Sequence, residues 1–120
     1  MEKYTDTVYR DDDFYIEVFK VKYYPATWGY EPYVKLEVRA CSPITGSLHP
    51  FYTRTILRNY IDAPKQRSNL YTKIFGKQPT WEELVTEKEN EYVERLIKRL
   101  NEIREPFKEQ FAWYYEEEID

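Results

Sequence analysis

Apolar side chains change their spacing twice along this chain. Over residues 13–24, Phe14, Ile16 and Val18 alternate with other positions, and the apolar set then shifts parity to Phe19, Val21 and Tyr23. A parity switch in a strand means either a bulge near Val18–Phe19 or burial on both faces. The segment PATWGYEP at 25–32 follows, with two prolines and Gly29 supplying turn chemistry. Residues 33–41 alternate cleanly, with Val34, Leu36, Val38 and Ala40 on one face and Tyr33, Lys35, Glu37 and Arg39 on the other. This is the clearest strand in the sequence. A second turn, SPITGS at 42–47, places Pro and Gly where a short hairpin uses them. Residues 51–60 fit two templates. Thr53, Thr55 and Ile56 favour a third strand, whereas Phe51, Tyr52, Thr55, Ile56 and Asn59 line up on a helix opened by Pro50; the strand is the preferred reading.

The period becomes helical after residue 80. Thr80 is an N-cap residue with Glu83 at the capping-box spacing, and the stripe runs through Trp81, Leu84, Val85, Tyr92, Val93, Leu96, Ile97, Leu100 and Ile103. Pro106 lacks an amide hydrogen and disfavours helical geometry at Glu105, so the pattern predicts a helix over 81–104, a break or kink, and a second helix over 106–117. Between sheet and helices, residues 61–79 form a connection with Pro64, Gly76 and Pro79, in which 68–75 makes one helical turn. The expected architecture is α+β in a single domain over 1–120. It consists of a small antiparallel sheet of about three strands (13–24, 33–41, 51–60) and the two C-terminal helices.

Charge divides at the same places. Residues 1–60 are neutral, 61–80 carry net +3 and 81–120 carry net -7, within a total of -4. Aromatic residues (13 Tyr, 6 Phe, 3 Trp) are as numerous as Ile, Leu and Val together. The beginning, MEKYTDTVYRDDD, lacks the apolar core of a signal peptide, and no run approaches the roughly 20 apolar residues of a membrane span, so the expectation is a cytoplasmic protein without membrane partners. One Cys and one His exclude a disulfide framework and a Cys/His zinc cage. No cofactor is expected: the three glycines form no phosphate-cradling motif. Cys41 and His49 lie in reach of one hairpin but inside no nucleophile motif, and Asp11–Asp13 reads as charge flanking a strand rather than as a metal site. The chain is therefore read as non-enzymatic.

Two kinds of binding remain. Many helix charges pair in stabilising order (Glu91 with Arg95, Glu94 with Lys98, Glu105 with Lys108), which accounts for most of the acidity. The end FAWYYEEEID does not fit that account. Five successive aromatic or apolar residues exceed one helical stripe, and a triple Glu opposes the helix dipole. The first expectation is an interaction protein, in its sharpest form an inhibitor of the kind phages and mobile elements encode. It would meet a basic, nucleic-acid-binding surface of a partner protein through Glu83, Glu87, Glu91, Trp113, Tyr115, Glu116, Glu117 and Glu118. Glu83, Glu87 and Glu91 lie about 6 Å apart along one helical edge, the spacing of a phosphate mimic. The alternative is a binder of single-stranded nucleic acid or a nucleotide-like molecule through Tyr52, Arg54, Arg58, Lys65, Arg67, Tyr71 and Lys73. An unbroken helix over 81–117 would extend about 56 Å, well beyond a compact body with a radius of gyration near 14 Å, and such an overhang invites a second copy as a homodimer.

Overall fold

The computed structural model describes residues 2–64 and 68–117. An antiparallel sheet is built from β1 (Lys3–Arg10), β2 (Tyr15–Tyr24), β3 (Tyr33–Ser42), the two-residue β4 (Gly46–Ser47) and β5 (Ile56–Asp62), followed by α1 (Asn69–Phe75), α2 (Trp81–Gln110) and α3 (Ala112–Glu117). The protein is thus α+β, as its pattern predicts. β3 is the central strand. It pairs with β2 along one edge, while the other edge takes β5 against Tyr33–Arg39 and then β4 against Cys41–Ser42. β1 closes the far side against β2.

The alternating residues of β3 are wholly buried beneath α2. Val34, Leu36, Val38 and Ala40 join Phe14, Ile16, Val18 and Val21 from β2 and its approach, and Leu48 from the loop after β4. The helix answers with Val85, Tyr92, Leu96, Leu100, Ile103 and Phe107, spaced three, four or seven residues apart so that one stripe faces the sheet. The parity switch in β2 is a bulge: Val18 opposes Val38 and Lys20 opposes Glu37, leaving Phe19 as the extra residue. Thr80 caps α2 by accepting a hydrogen bond from the Glu83 amide at 3.2 Å. The Ser42–Ser47 hairpin forms, with Gly46 at φ 73°.

Four expectations are corrected. The sheet has five strands rather than three, because β1 contributes an edge strand whose sequence, KYTDTVYR, buries little and alternates poorly. Its irregularity has a backbone cause in the left-handed φ of 49° at Thr5 and a register shift between Thr7 and Tyr9. The third strand is not 51–60 but β5 at 56–62. Residues 51–54 turn instead, closed by the Thr55 hydroxyl donating to the Tyr52 carbonyl at 3.2 Å and by Arg54 at φ 63°. The long helix does not end at 104. It continues through Pro106 to Gln110, leaving only Ala112–Glu117 as the second helix. Pro106 leaves the Glu102 carbonyl without its helical donor, at a cost of about 3 kcal/mol. Burial of Ile103 and Phe107 on either side, each contributing about 1.5–3 kcal/mol, offsets that cost. The charge pairing also differs: Glu91 meets Arg95 at 3.9 Å, but Lys108 turns to Asp13 rather than Glu105, and Lys98 makes no ion pair among the described residues.

The body is elongated, 66 × 34 × 20 Å, with a radius of gyration of 18.7 Å against the near-14 Å of a compact chain of this length. Among the described residues no helix is long and apolar enough to cross a membrane.

Candidate functional site

With α2 covering one face of the sheet, the opposite face carries the residues that point the other way. Strand pairing brings Tyr4, Thr7 and Arg10 of β1 beside Tyr15, Glu17, Lys20, Lys22 and Tyr24 of β2. It then adds Tyr33, Lys35, Glu37, Arg39 and Cys41 of β3, and Ile56, Arg58, Tyr60 and Asp62 of β5. This face is rich in rings and cations, as a base-stacking platform would be, but many of its groups are engaged with each other. Arg39 pairs with Glu17 and lies 4.0 Å from the Phe19 ring centre, and Arg58 pairs with Glu37 at 2.9 Å, which raises the pKa of its guanidinium further. Arg10 covers Tyr15, Lys22 covers Tyr24 and Lys35 covers Tyr60, while Tyr24 stacks on Tyr33. A base stacking on Tyr15, Tyr24 or Tyr60 would have to displace the cation over that ring.

Cys41 belongs to the same face and is buried. Burial, followed by the charge of Glu17, raises its thiol to about 11. Its alkylation by iodoacetamide at pH 8 is therefore expected to run at least about a hundredfold slower than that of an open thiol and to become fast on unfolding in urea. Fast labelling of the folded protein would contradict this burial. His49 is exposed and makes no pair with Cys41. Asp11 and Asp13 hold Arg104, and Asp13 also holds Lys108. Among the described residues no group of three His, Cys, Asp or Glu is placed to hold a metal ion.

The residues expected to bind a partner do not converge. Glu83, Glu87 and Glu91 all project from α2 into solvent, and Glu91 is already paired with Lys88 at 3.1 Å and with Arg95. Trp113, Tyr115, Glu116 and Glu117 lie on α3, beyond the far end of α2. At 1.5 Å per residue, Glu83 and Gln110 are about 40 Å apart along the axis. Trp113 is exposed, its ring edge against Tyr114, and Lys108 covers the Tyr115 ring. Glu118 lies outside the described residues.

The alternative set is scattered too. Tyr52 packs on Phe107, Arg58 is on the open sheet face, Arg54 is in the turn before β5, and Tyr71 and Lys73 are on α1. Lys65 and Arg67 lie outside the described residues.

A different concentration of side chains appears at one end of the molecule. Tyr24 and Tyr33, which bracket the 25–32 loop, stand beside Asp62 at the end of β5. The Trp81 indole at the start of α2 donates to the Ile61 carbonyl at 3.2 Å and packs edge-on against Tyr23. The loop, the connection bearing α1 and the first turn of α2 therefore share this end. Thr27 and Tyr30 exchange backbone hydrogen bonds across Trp28–Gly29, with Gly29 at φ 84°, and this tight turn leaves Trp28 fully exposed. On α1, Leu70, Ile74 and Phe75 are 69, 63 and 66% exposed and no residue is buried. Both helix ends are locally satisfied, by the Ser68 hydroxyl at the Tyr71 amide and by the Gly76 amide on the Thr72 carbonyl. Glu82, Glu83 and Glu87 border the same end, all exposed.

Of the residues at this end, the sequence-based alternative set includes Tyr71 and Lys73, as part of a nucleic-acid site, and not Trp28, Leu70, Ile74 or Phe75. The i, i+4 spacing of Leu70 with Ile74 and of Tyr71 with Phe75 was the available signal.

Comparison of the chain with protein-family models, with curated proteins and with solved structures finds no significant match.

Proposed function

We propose that this protein is a non-enzymatic interaction module whose partner is another protein, engaged through the end formed by α1, the 25–32 loop and the first turns of α2. The observation that carries this reading is the exposure of every apolar side chain of α1. A seven-residue helix is marginal in water on its own, since nucleation is costly and helices shorter than about 12 residues seldom persist without packing. An amphipathic helix with an uncovered stripe fits the groove of a partner, read through Leu70, Tyr71, Ile74 and Phe75, with Trp28 as a second anchor. The carboxylates of Glu82, Glu83 and Glu87 favour a partner whose groove has a basic rim. This keeps the class and charge preference expected from the sequence and moves the aromatic anchors from the C-terminal helix to the opposite end. An evenly charged phosphate mimic is less well supported, since Glu91 is already engaged by two cations.

The test is affinity capture from the native host, followed by direct binding measurements on the captured protein. The triple variant Leu70→Ser, Ile74→Ser, Phe75→Ser is expected to keep its circular dichroism and thermal midpoint while weakening that binding by more than about 30-fold, the loss typical of one hot-spot residue. Trp113→Ala should bind as the unaltered chain does. Equal binding by the triple variant, or saturable and salt-sensitive quenching of Trp fluorescence by single-stranded DNA, would reject the proposal.

A further inference from the structure

On the far side of the α2–β5 contact, a cleft of about 280 Å³ is lined by Arg54, Leu57, Arg95, Lys98, Arg99 and Glu102. Four cations face one carboxylate, a local net charge of +3 on a chain whose total is -4. The helix supplies most of it. Positions 95, 98, 99 and 102 are spaced by three and four residues, so they share one face of α2. Arg95 faces like charges at Lys98 and Arg99, three and four residues on, while Glu102 lies at attractive spacing from both and pairs with Arg99.

Intramolecular pairing leaves much of this charge uncompensated. Arg99 is fixed by the Thr53 carbonyl at 3.1 Å and by Glu102 at 3.2 Å, and Arg95 reaches Glu91 only at 3.9 Å. Arg54 and Lys98 have no carboxylate partner among the described residues. Arg54 also holds a left-handed backbone, φ 63°, where a residue with a Cβ is strained. The turn before β5 thus holds Arg54, without a carboxylate partner among the described residues, beside the three cations of α2.

We infer that this cleft binds a small phosphorylated molecule, its phosphoryl oxygens received by Arg54 and Lys98 on the two walls and by the free N–H groups of Arg95 and Arg99. Guanidinium groups suit this role because their planar donors match phosphate oxygens two at a time. The size selects a small ligand, since the cleft lies just below the roughly 300–1,000 Å³ range of drug-sized pockets. Among the described residues Leu57 is the one aliphatic side chain in the lining, so recognition centres on the anion. The site is remote from the α1 end and does not depend on it.

The experiment is a titration of the full chain with inorganic pyrophosphate at low salt, followed by calorimetry and by backbone amide shifts. One saturable site is expected, with shifts confined to 53–57 and 95–102. Lys98→Gln should weaken it at least about tenfold. Arg54→Gly should do the same without lowering the thermal midpoint, because glycine accepts the left-handed backbone. Should Arg54→Gly fold poorly, Lys98→Gln alone carries the test. Absence of saturable binding, shifts spread evenly over surface lysines, or unchanged affinity in the variants overturns the inference. So does binding of a ten-residue oligothymidylate that pyrophosphate cannot displace, which would assign the charge to a polymer.

Discussion

Replacing Phe107 with alanine is expected to remove about 3–5 kcal/mol of stability, a large share of the roughly 5–15 kcal/mol available to a domain of this kind. Phe107 is completely buried and is the hub of an aromatic cluster. Phe14 meets it edge-on at 5.0 Å, Phe111 lies at 4.7 Å and Tyr52 at 6.3 Å. Phe51 extends the cluster from Phe111 at 6.5 Å. Truncation would leave a cavity among side chains drawn from three separate segments, which cannot all relax into it. It would also remove the packing that holds α2 helical immediately after Pro106. Urea unfolding followed by circular dichroism measures the loss, with Trp113→Ala as the control. Trp113 is 57% exposed and should change stability by no more than about 0.5 kcal/mol. A loss below about 1 kcal/mol for Phe107→Ala would mean that the cluster does not clamp the helix.

Arg104→Ala should cost about 2–4 kcal/mol near neutral pH, somewhat less than the loss of a fully enclosed ion-pair partner because the guanidinium retains partial access to water. Arg104 donates to Asp11 at 2.7 Å, bonds Asp13 as well, and lies over the Phe14 ring. Its removal leaves two carboxylates together, one of them buried, with Lys108 at 3.5 Å from Asp13 as the remaining nearby cation.

The same cluster sets an acid dependence. Desolvation pushes the Asp11 carboxyl up, but the Arg104 guanidinium, the amides of Phe14 and Asp13 and the Tyr9 hydroxyl together outweigh it. The net result is a pKa well below the ordinary 3.8. A carboxyl with a depressed folded-state pKa contributes stability above its unfolded value and loses it as pH falls through the folded one. The intact chain should therefore lose stability steeply below about pH 4, and Arg104→Ala should flatten that slope. Urea midpoints measured from pH 6 to pH 2 compare the two; parallel curves would show that Asp11 owes its acidity to the backbone amides and the Tyr9 hydroxyl rather than to Arg104.

Local pattern made much of this architecture legible. The alternation in β3, the parity switch at Phe19, the Thr80 cap and the stripe from Val85 to Ile103 each follow from a spacing rule, and each is present. Where local rules and long-range packing disagreed, packing decided. Pro106 marks a helix break in any local reading, yet Phe107 anchors the next turn in a cluster with Phe111 and with rings brought from residues 14, 51 and 52. The edge strand β1 carries little apolar signal and exists because β2 offers it a free edge.

The candidate sites divide in the same way. The sequence alone determined an acidic α+β chain with a neutral sheet half, a charged helical half and more aromatic residues than one stripe can bury. Helical period is a local property, so the spacing of Arg95, Lys98, Arg99 and Glu102 already puts them on one helix face, a grouping absent from the expected sites. Only the tertiary structure decided which aromatic residues are spent on the core or beneath cations and which remain open at the α1 end. It alone brought Arg54 from a turn some forty residues away to the face of α2. Exposure and proximity depend on which segments pack together, and no spacing rule along the chain contains that information.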